Sequence, residues 1–196
     1  MFLISKKVEY NRNMIVLSGA SASGKTEVAK VLAKDYGIVK IITTTTRAKR
    51  LNEIDGRDYF FVSCDRFKEM IKEGCFVEYT EYNKNFYGST KDQIKENRCV
   101  VIDPSGLKAY SSLNDPNIVT FFLECSEDVR YERMLLRGDS VDEANIRITN
   151  DKETFKKEHI MISDFPIDSE HFSIEEVARE VVRLYQLEIK KRQFKK

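Results

Sequence analysis

Eight consecutive residues near the amino terminus have the types and spacing that bind phosphate. They match the pattern G-x-x-x-x-G-K-[ST]. The two glycines let backbone N–H groups turn toward an anion, and a helix starting there adds a partial positive charge. The lysine ammonium can reach the outer phosphates of a nucleotide, and the threonine hydroxyl can hold a magnesium ion that bridges them. The predicted phosphate loop consists of Gly19, Ala20, Ser21, Ala22, Ser23, Gly24, Lys25 and Thr26.

The residues on both sides of this loop support the same interpretation. Residues 14–17 form a short apolar run typical of a strand, and residues 27–36 have the apolar spacing of a helix. A strand, a glycine-rich loop and a helix in this order are typical of nucleotide-binding α/β proteins. The alternative, a glycine-serine turn that happens to precede a helix, requires all eight positions and both flanks to coincide by chance.

Length and charge limit what the rest of the chain can be. The 196 residues are enough for one α/β domain with a sizeable core, and two independent domains are not expected. The 33 Lys and Arg residues nearly balance the 32 Asp and Glu residues. This balance argues against nonspecific binding to nucleic acid or to an anionic membrane. Any anion site must therefore be built locally.

Cysteine usage and hydropathy predict a cytoplasmic protein. The four cysteines are widely spaced without a C-x-x-C pair, which indicates free thiols rather than a zinc or redox site. No apolar run approaches the ~20 residues that span a bilayer, and the first residues lack the composition of a signal peptide. We expect no membrane and no nucleic acid among its partners.

Alternating strand and helix patterns predict how these residues are positioned. The expected fold is α/β, with a mainly parallel sheet covered by helices on both faces, and with residues 43–97 forming a small α+β insertion. Residues 1–13 precede the core as an extension whose residues 8–10 can pair on a sheet edge. Strands are predicted at 38–42, 58–62, 76–82, 99–102, 117–123 and 165–167, and helices at 65–73, 90–97, 126–137, 140–158 and from 173 onward. Capping-box spacing marks the starts of the helices at Thr90, Ser140 and Ser173.

A polar loop after the second predicted strand combines four threonines, 43–46, with Arg47 and Arg50. Taken alone, such a loop is as readily a solvated surface as an anion site. Other motifs change that balance.

From residue 14 to about residue 153 the chain resembles the guanylate kinase family, whose members transfer the terminal phosphoryl group of ATP to GMP or dGMP. The resemblance rests on Thr45-Thr-Arg47-x-x-Arg50-x-x-Glu53, Gly56-x-Asp58-Tyr59-x-Phe61-Val62, Phe76-x-Glu78-Tyr79 and Tyr87-Gly88-Ser89.

The resemblance implies a role for each matching residue. Within the insertion, which would bind GMP, the phosphate would be held by Arg47, Arg50, Tyr59 and Tyr87, and the guanine would be surrounded by Thr43, Glu78, Ser89 and Asp103. Arg133, Arg137 and Arg147 match arginines of the family's ATP-side lid, which we place at about 137–145, with Arg133 and Arg137 on ATP. The implied catalytic residues are Lys25, Arg47, Arg137 and Arg147, and magnesium would arrive with ATP and contact Thr26. Arginine suits these positions because its rigid fork grips phosphate at two points.

Three residues depart from the family pattern, which fades after residue 153. Ala22 and Asn52 stand where the family commonly has glycine, and Val101 replaces an acidic residue two positions before Asp103. A methyl group at Ala22 is costly if the backbone there needs a positive φ. Val101 leaves no carboxylate at that position for magnesium.

Two other functions stay open at this point. One is a kinase for another monophosphate or for a phosphosugar, and the other is a non-catalytic guanylate-kinase-like module that binds proteins. A degraded phosphate loop would favour the module, whereas Lys25 and Thr26 are both present. The sequence leaves the choice between GMP and dGMP and the oligomeric state undecided.

Overall fold

The computed structural model of the chain describes residues 14–51, 53–82, 84–155 and 163–194. The predicted pairing of residues 8–10 and the departure at Asn52 lie outside these ranges. The described residues form two sheets, one with five strands and one with four. The strands are β1 (Met14–Gly19), β2 (Val39–Lys40), β3 (Thr44–Thr45), β4 (Phe60–Phe61), β5 (Phe76–Tyr82), β6 (Asn85–Thr90), β7 (Arg98–Ile102), β8 (Ile118–Glu124) and β9 (Phe165–Asp168).

The five-stranded sheet is parallel throughout and has the strand order β2-β7-β1-β8-β9. β1 lies at its centre with all six residues buried. Because successive side chains of a strand point to opposite faces, Ile15 and Leu17 enter one core layer and Met14 and Val16 the other. This arrangement explains why β1 is an uninterrupted apolar run up to Leu17, and it confirms the predicted α/β class.

Six helices accompany the strands in the part of the chain that the structure describes. They are α1 (Lys25–Tyr36), α2 (Cys64–Lys72), α3 (Pro104–Ser112), α4 (Glu127–Leu136), α5 (Val141–Thr154) and α6 (Ile174–Gln193). α1 and α6 bury apolar side chains such as Leu32 and Val181 on one face of the large sheet, and α3 buries Leu107 on the other. The capping boxes predicted at Ser140 and Ser173 are both formed, and Ser126 caps α4. No helix within the described ranges is long and apolar enough to cross a membrane.

The smaller sheet has the order β4-β3-β6-β5 and lies between β2 and β7 in the sequence. β3 pairs with β4 in parallel and with β6 antiparallel, and β5 pairs antiparallel with β6. α2 covers this sheet through Phe67, whose ring stacks on Phe76 at 4.4 Å and on Phe86 at 5.4 Å between centroids. Aromatic residues of this region therefore form a small core of their own.

Several predicted elements are wrong in their bounds. The helix predicted from Thr90 to residue 97 is only a 3₁₀ turn, Lys91–Gln93, and the Thr90 side chain makes no cap. Thr90 instead ends β6, and the Lys91 N–H that a helix would leave free donates to the Cys75 carbonyl at 2.8 Å. The strand predicted at 38–42 is reduced to Val39–Lys40, which is exposed at the sheet edge.

Further differences concern the polar loop, the strand that follows it and the end of the helix that starts after Ser140. The threonine run predicted as loop contains β3, because the backbone of Thr44 and Thr45 pairs with both β4 and β6. The strand predicted at 58–62 shrinks to Phe60–Phe61, and the helix that starts after Ser140 ends at Thr154 rather than near residue 158.

Candidate active site

The phosphate loop connects the carboxyl end of β1 to the amino end of α1. Gly19 has φ 148°, and a Cβ there would lie 2.7 Å from the Leu123 carbonyl oxygen, so that β8 leaves room only for glycine. Gly24 has φ 94° and precedes the first residue of α1. Both predicted loop glycines thus hold backbone conformations that other residues rarely adopt.

Lys25 folds back over the loop that it follows. Its Nζ donates to the carbonyls of Gly19 at 2.6 Å and Ala20 at 2.7 Å. Burial lowers the Lys25 pKa to about 8, Asp151 opposes this shift, and Arg130 and Arg137 add to it. A half-buried ammonium with two guanidinium groups nearby is stabilised in its charged form when a polyanion binds beside it.

A cavity of about 550 Å³ opens beside the loop. It brings the loop together with two of the predicted lid arginines. The cavity is lined by Ala22, Gly24, Lys25, Thr26, Glu27, Arg133, Arg137, Phe172, Ser173 and Ile174. The Arg133 Nη2 donates to the Ser169 carbonyl at 2.8 Å, which holds this guanidinium at the rim. Six of the ten predicted ATP residues therefore share one opening, whereas Gly19, Ala20, Ser21 and Ser23 do not line it.

The remaining predicted lid residue is elsewhere. Arg147 does not line this cavity, and its Nε lies 3.6 Å from Asp139 Oδ2. Arg137 Nη2 contacts the same carboxylate at 2.5 Å, and this pairing raises the Arg137 pKa and lowers the Asp139 pKa. Asp139 thus gathers both guanidinium groups at the turn between α4 and α5.

The two departures within the described residues have clear structural consequences. Ala22 has φ 59°, the left-handed region in which a Cβ is unfavourable. Val101 faces the apolar layer that α1 and α6 cover, where it packs against the buried core cluster. The backbone of the phosphate loop is therefore strained at Ala22, and Val101 is a packing residue of the apolar core.

A second polar cluster lies on the small sheet. Arg47 Nη2 is 2.6 Å from Glu53 Oε1, and the Arg47 guanidinium sits over the Tyr59 ring at 5.3 Å. Tyr87 is 6.1 Å from Tyr59 between ring centroids. Arg50 is exposed, and its backbone N–H donates to the other Glu53 oxygen at 2.8 Å. Arg47 and Arg50 thus meet at the Glu53 carboxylate, and Tyr59 and Tyr87 lie on the Arg47 side of the cluster.

The predicted base-binding residues meet where the small sheet approaches α3. The Ser89 hydroxyl donates to Glu78 Oε1 at 2.5 Å. Burial raises the Glu78 pKa, the Ser89 hydrogen bond opposes this, and the nearby Asp103 carboxylate adds to it. Asp103 is the N-cap of α3 and accepts from the Gly106 N–H at 2.8 Å. Thr43 lies just before β3, and its carbonyl accepts from Phe60.

Sequence reasoning missed three residues of these two clusters. Glu53 was part of a quoted motif but was given no role, although it organises Arg47 and Arg50. Arg130 and Asp151 have no role in the sequence-based prediction, and both are buried and in contact with the phosphate loop. Charged residues on helices ordinarily face solvent, so no signal in the sequence marks them.

Comparison with known proteins covers both the phosphate loop and the polar cluster on the small sheet. A family model described as guanylate kinase matches residues 11–182, which include every residue discussed in this subsection. The chain belongs to the guanylate kinase family. A guanylate kinase from Mycoplasma mobile is 33% identical over 185 residues, spanning 87% of this chain and 92% of that protein.

Solved structures agree with this assignment. The crystal structure of guanylate kinase from Anaplasma phagocytophilum superposes with a TM-score of 0.61 and 27% identity, covering 90% of this chain and 85% of the other. A gluconokinase from Sinorhizobium meliloti superposes with a TM-score of 0.56 at 17% identity, covering 95% and 98%. At that identity the second likeness shows a shared fold alone.

Proposed function

We propose that this guanylate kinase family member transfers the terminal phosphoryl group of ATP to GMP or dGMP, giving GDP or dGDP. The observation that carries the proposal is the half-buried Glu78 carboxylate, bonded to Ser89 and close to Asp103, in a chain that also has an intact phosphate loop. The phosphate loop alone indicates a nucleotide, whereas the carboxylates indicate which base is accepted.

The donor side would take ATP in the cavity beside the loop. Lys25, Arg133 and Arg137 all line it. At ~4 Å and an effective dielectric near 20, one cation–anion contact is on the order of 4 kcal/mol before desolvation, so that several contacts are needed to hold a triphosphate. A chain with a net charge of +1 meets this need by concentrating its cations here.

The residues of this cavity fit a magnesium ion that arrives bound to the nucleotide, rather than one that protein ligands hold permanently. Within the described ranges, no group of three or more His, Cys, Asp or Glu residues could form a protein cage for a metal. Thr26 is exposed in the same cavity as Lys25 and offers one hydroxyl ligand. Magnesium commonly takes one or two protein ligands, waters and substrate phosphates. Charge neutralisation at the phosphates is the chemistry that it supplies when bound.

The acceptor side would recognise guanine through hydrogen bonds. Guanine presents adjacent donors at N1 and N2, and an ionised carboxylate such as Glu78 can accept both. Adenine presents an acceptor at N1 and lacks the N2 amine, so Glu78 would lose its partners. Leaving buried polar groups unpaired allows discrimination of ~10⁴. Arg47, Arg50, Tyr59 and Tyr87 would bind the phosphate of the same nucleotide.

Transfer then depends on positioning and charge, because phosphoryl transfer needs little covalent work from the protein. The insertion of residues 43–97, together with Asp103, would hold the acceptor, and the core of residues 14–42 and 98–196 would hold the donor. Arg137 and Arg147, now on Asp139, would exchange this carboxylate for phosphate as the lid around residues 137–145 closes. The exchange keeps each guanidinium paired in both states.

A coupled assay tests the proposal. ATP and magnesium are combined with GMP, dGMP, AMP, CMP, UMP and a phosphosugar panel, and ADP formation is followed. We expect turnover with GMP and dGMP and at least ~10³-fold lower kcat/KM with AMP. Turnover confined to another monophosphate or to a phosphosugar would replace the proposed substrate. A chain that binds nucleotide without turnover would instead be a binding module.

A further inference from the structure

A buried ion pair touches the tip of the phosphate loop from two helices. Arg130 of α4 and Asp151 of α5 have relative exposures of 5% and 8%, and Arg130 Nη1 lies 2.7 Å from Asp151 Oδ2. The same Oδ2 accepts the Ser21 backbone N–H at 2.8 Å, and Oδ1 accepts the Ser21 hydroxyl at 3.2 Å. We call these three residues the loop clamp.

The loop clamp uses most of the bonding capacity of its members. Arg130 Nη1 also donates to the Ser21 carbonyl at 3.4 Å, and its Nε donates to the Cys125 carbonyl at 3.3 Å. Ser21 is therefore contacted at its N–H, its carbonyl and its hydroxyl. A loop residue held at three points has little freedom to change its backbone conformation.

Burial of this pair is not explained by stability alone. Desolvation of two charges offsets much of their attraction, and well-packed apolar side chains often stabilise a core equally well. The charges here do what apolar side chains cannot, since they hydrogen-bond the backbone of a loop that has no regular partner. Ala22, in the left-handed conformation, follows directly after the clamped residue.

The loop clamp also connects the loop to the proposed lid. Arg130 lies one helical turn before Arg133, and Asp151 lies one turn after Arg147. Both helices therefore carry one clamp residue and one predicted lid arginine. Because Ser21 is bonded to both helices, the backbone positions of Arg133 and Arg147 are fixed relative to Lys25.

We infer that Arg130 and Asp151 are positioning residues for phosphoryl transfer, which hold the phosphate loop in its binding conformation and anchor α4 and α5 to it. They act through Ser21, through the helices and through their charges near Lys25 rather than on the nucleotide itself. The inference rests on the proposed function, because it concerns the same phosphate loop and the same lid arginines.

The test replaces the charged pair with side chains that still fill the buried space. The double variant Arg130→Met/Asp151→Leu supplies two apolar side chains, and Asp151→Asn removes the charge but keeps one acceptor oxygen. The matched control is Lys152→Gln, which breaks an exposed ion pair of 2.9 Å between Lys152 and Glu127, joining the same two helices. For each variant, thermal unfolding, ADP affinity by calorimetry, and kcat and KM for both substrates are measured.

We expect the double variant to unfold close to the wild-type temperature while its kcat/KM for ATP falls ~10- to 100-fold, the scale of a small misplacement in an active site. ADP affinity should weaken in parallel, and KM for GMP should stay within about twofold, because the clamp does not touch the small sheet. Asp151→Asn should show the same split between substrates, and Lys152→Gln should behave as the wild type.

Wild-type ADP affinity and kcat/KM for ATP in either clamp variant would overturn the inference and leave the pair a packing element. An equal loss for both substrates would also overturn it, since that outcome indicates general destabilisation. If the wild-type chain fails to phosphorylate GMP, the proposed function fails, whereas the ADP affinities of the variants still test the loop clamp.

Discussion

The two proposed anion sites of this chain are built in different ways. The phosphate loop is held by backbone geometry and buried groups, with Gly19 pressed against β8 and Ser21 fixed by Arg130 and Asp151. The cluster on the small sheet is held by the half-buried Arg47 and Glu53 side chains, with the backbone N–H of the exposed Arg50 on the same carboxylate. The first site is rigid by construction, and the second depends on a few side-chain contacts.

This difference matches what each site has to do. A triphosphate is recognised mainly as charge, which backbone N–H groups and the half-buried Lys25 would provide for any nucleotide. Choosing one base requires donors and acceptors in a particular order, which side chains such as Glu78 and Ser89 would supply. Substitutions in the first region should therefore reduce turnover with every acceptor, whereas substitutions in the second should change which acceptor is used.

The largest expected effect is at Lys25. Lys25→Met should lower kcat by ~10² or more, because the charge that stabilises the transferring phosphoryl group is lost. Steady-state kinetics with circular dichroism check this, and Lys30→Met is the control, since Lys30 is an exposed residue of the same helix paired with Glu27. Near-normal turnover in a folded Lys25→Met variant would remove the loop from the mechanism.

A smaller loss is expected when the organising carboxylate of the small sheet is neutralised. Glu53→Gln should raise KM for GMP by ~10-fold, because one charge-assisted contact to Arg47 and one to the Arg50 backbone weaken. KM for ATP should not change. Glu69→Gln, on the exposed face of α2, serves as the control. An equal rise in both KM values would show that the two regions are not independent.

The Lys25 pKa of about 8 predicts a pH dependence on the donor side. A depressed pKa means that the ammonium loses its proton as pH rises through about 8, so kcat/KM for ATP should fall by about fivefold between pH 8 and 9. Bound phosphates favour the charged form, and kcat should therefore hold to higher pH. Flat kcat/KM for ATP up to pH 9.5 would contradict this assignment.

The smallest expected effect concerns stability rather than activity. Ala22→Gly relieves a left-handed conformation and should raise the free energy of unfolding by about 1 kcal/mol, somewhat offset by the greater freedom of glycine in the unfolded chain. Urea unfolding measures it, and kcat should stay within about twofold. Ala20→Gly, outside that backbone region, should destabilise instead.

The same contrast explains what the sequence could predict. The phosphate loop is one contiguous motif, so its glycines and Lys25 could be identified directly. Arg130 and Asp151 are 21 positions apart on two amphipathic helices, and only tertiary packing makes them a buried pair. β3 escaped prediction for a related reason, since two threonines form a strand only when partners from distant segments pair with them. The helix predicted at Thr90 was wrong because β6 and Cys75 already used its backbone.

The most direct test of the two-site account is the affinity for GMP, measured by calorimetry in the wild type, Lys25→Met and Glu78→Gln, with Glu81→Gln as an exposed control on the same strand. We predict that Lys25→Met binds GMP within about twofold of the wild type while Glu78→Gln binds it ~10²-fold more weakly, because one of two guanine acceptors becomes a donor. ADP affinity should show the reverse pattern. Wild-type GMP affinity in Glu78→Gln would contradict the assignment of base recognition to the small sheet.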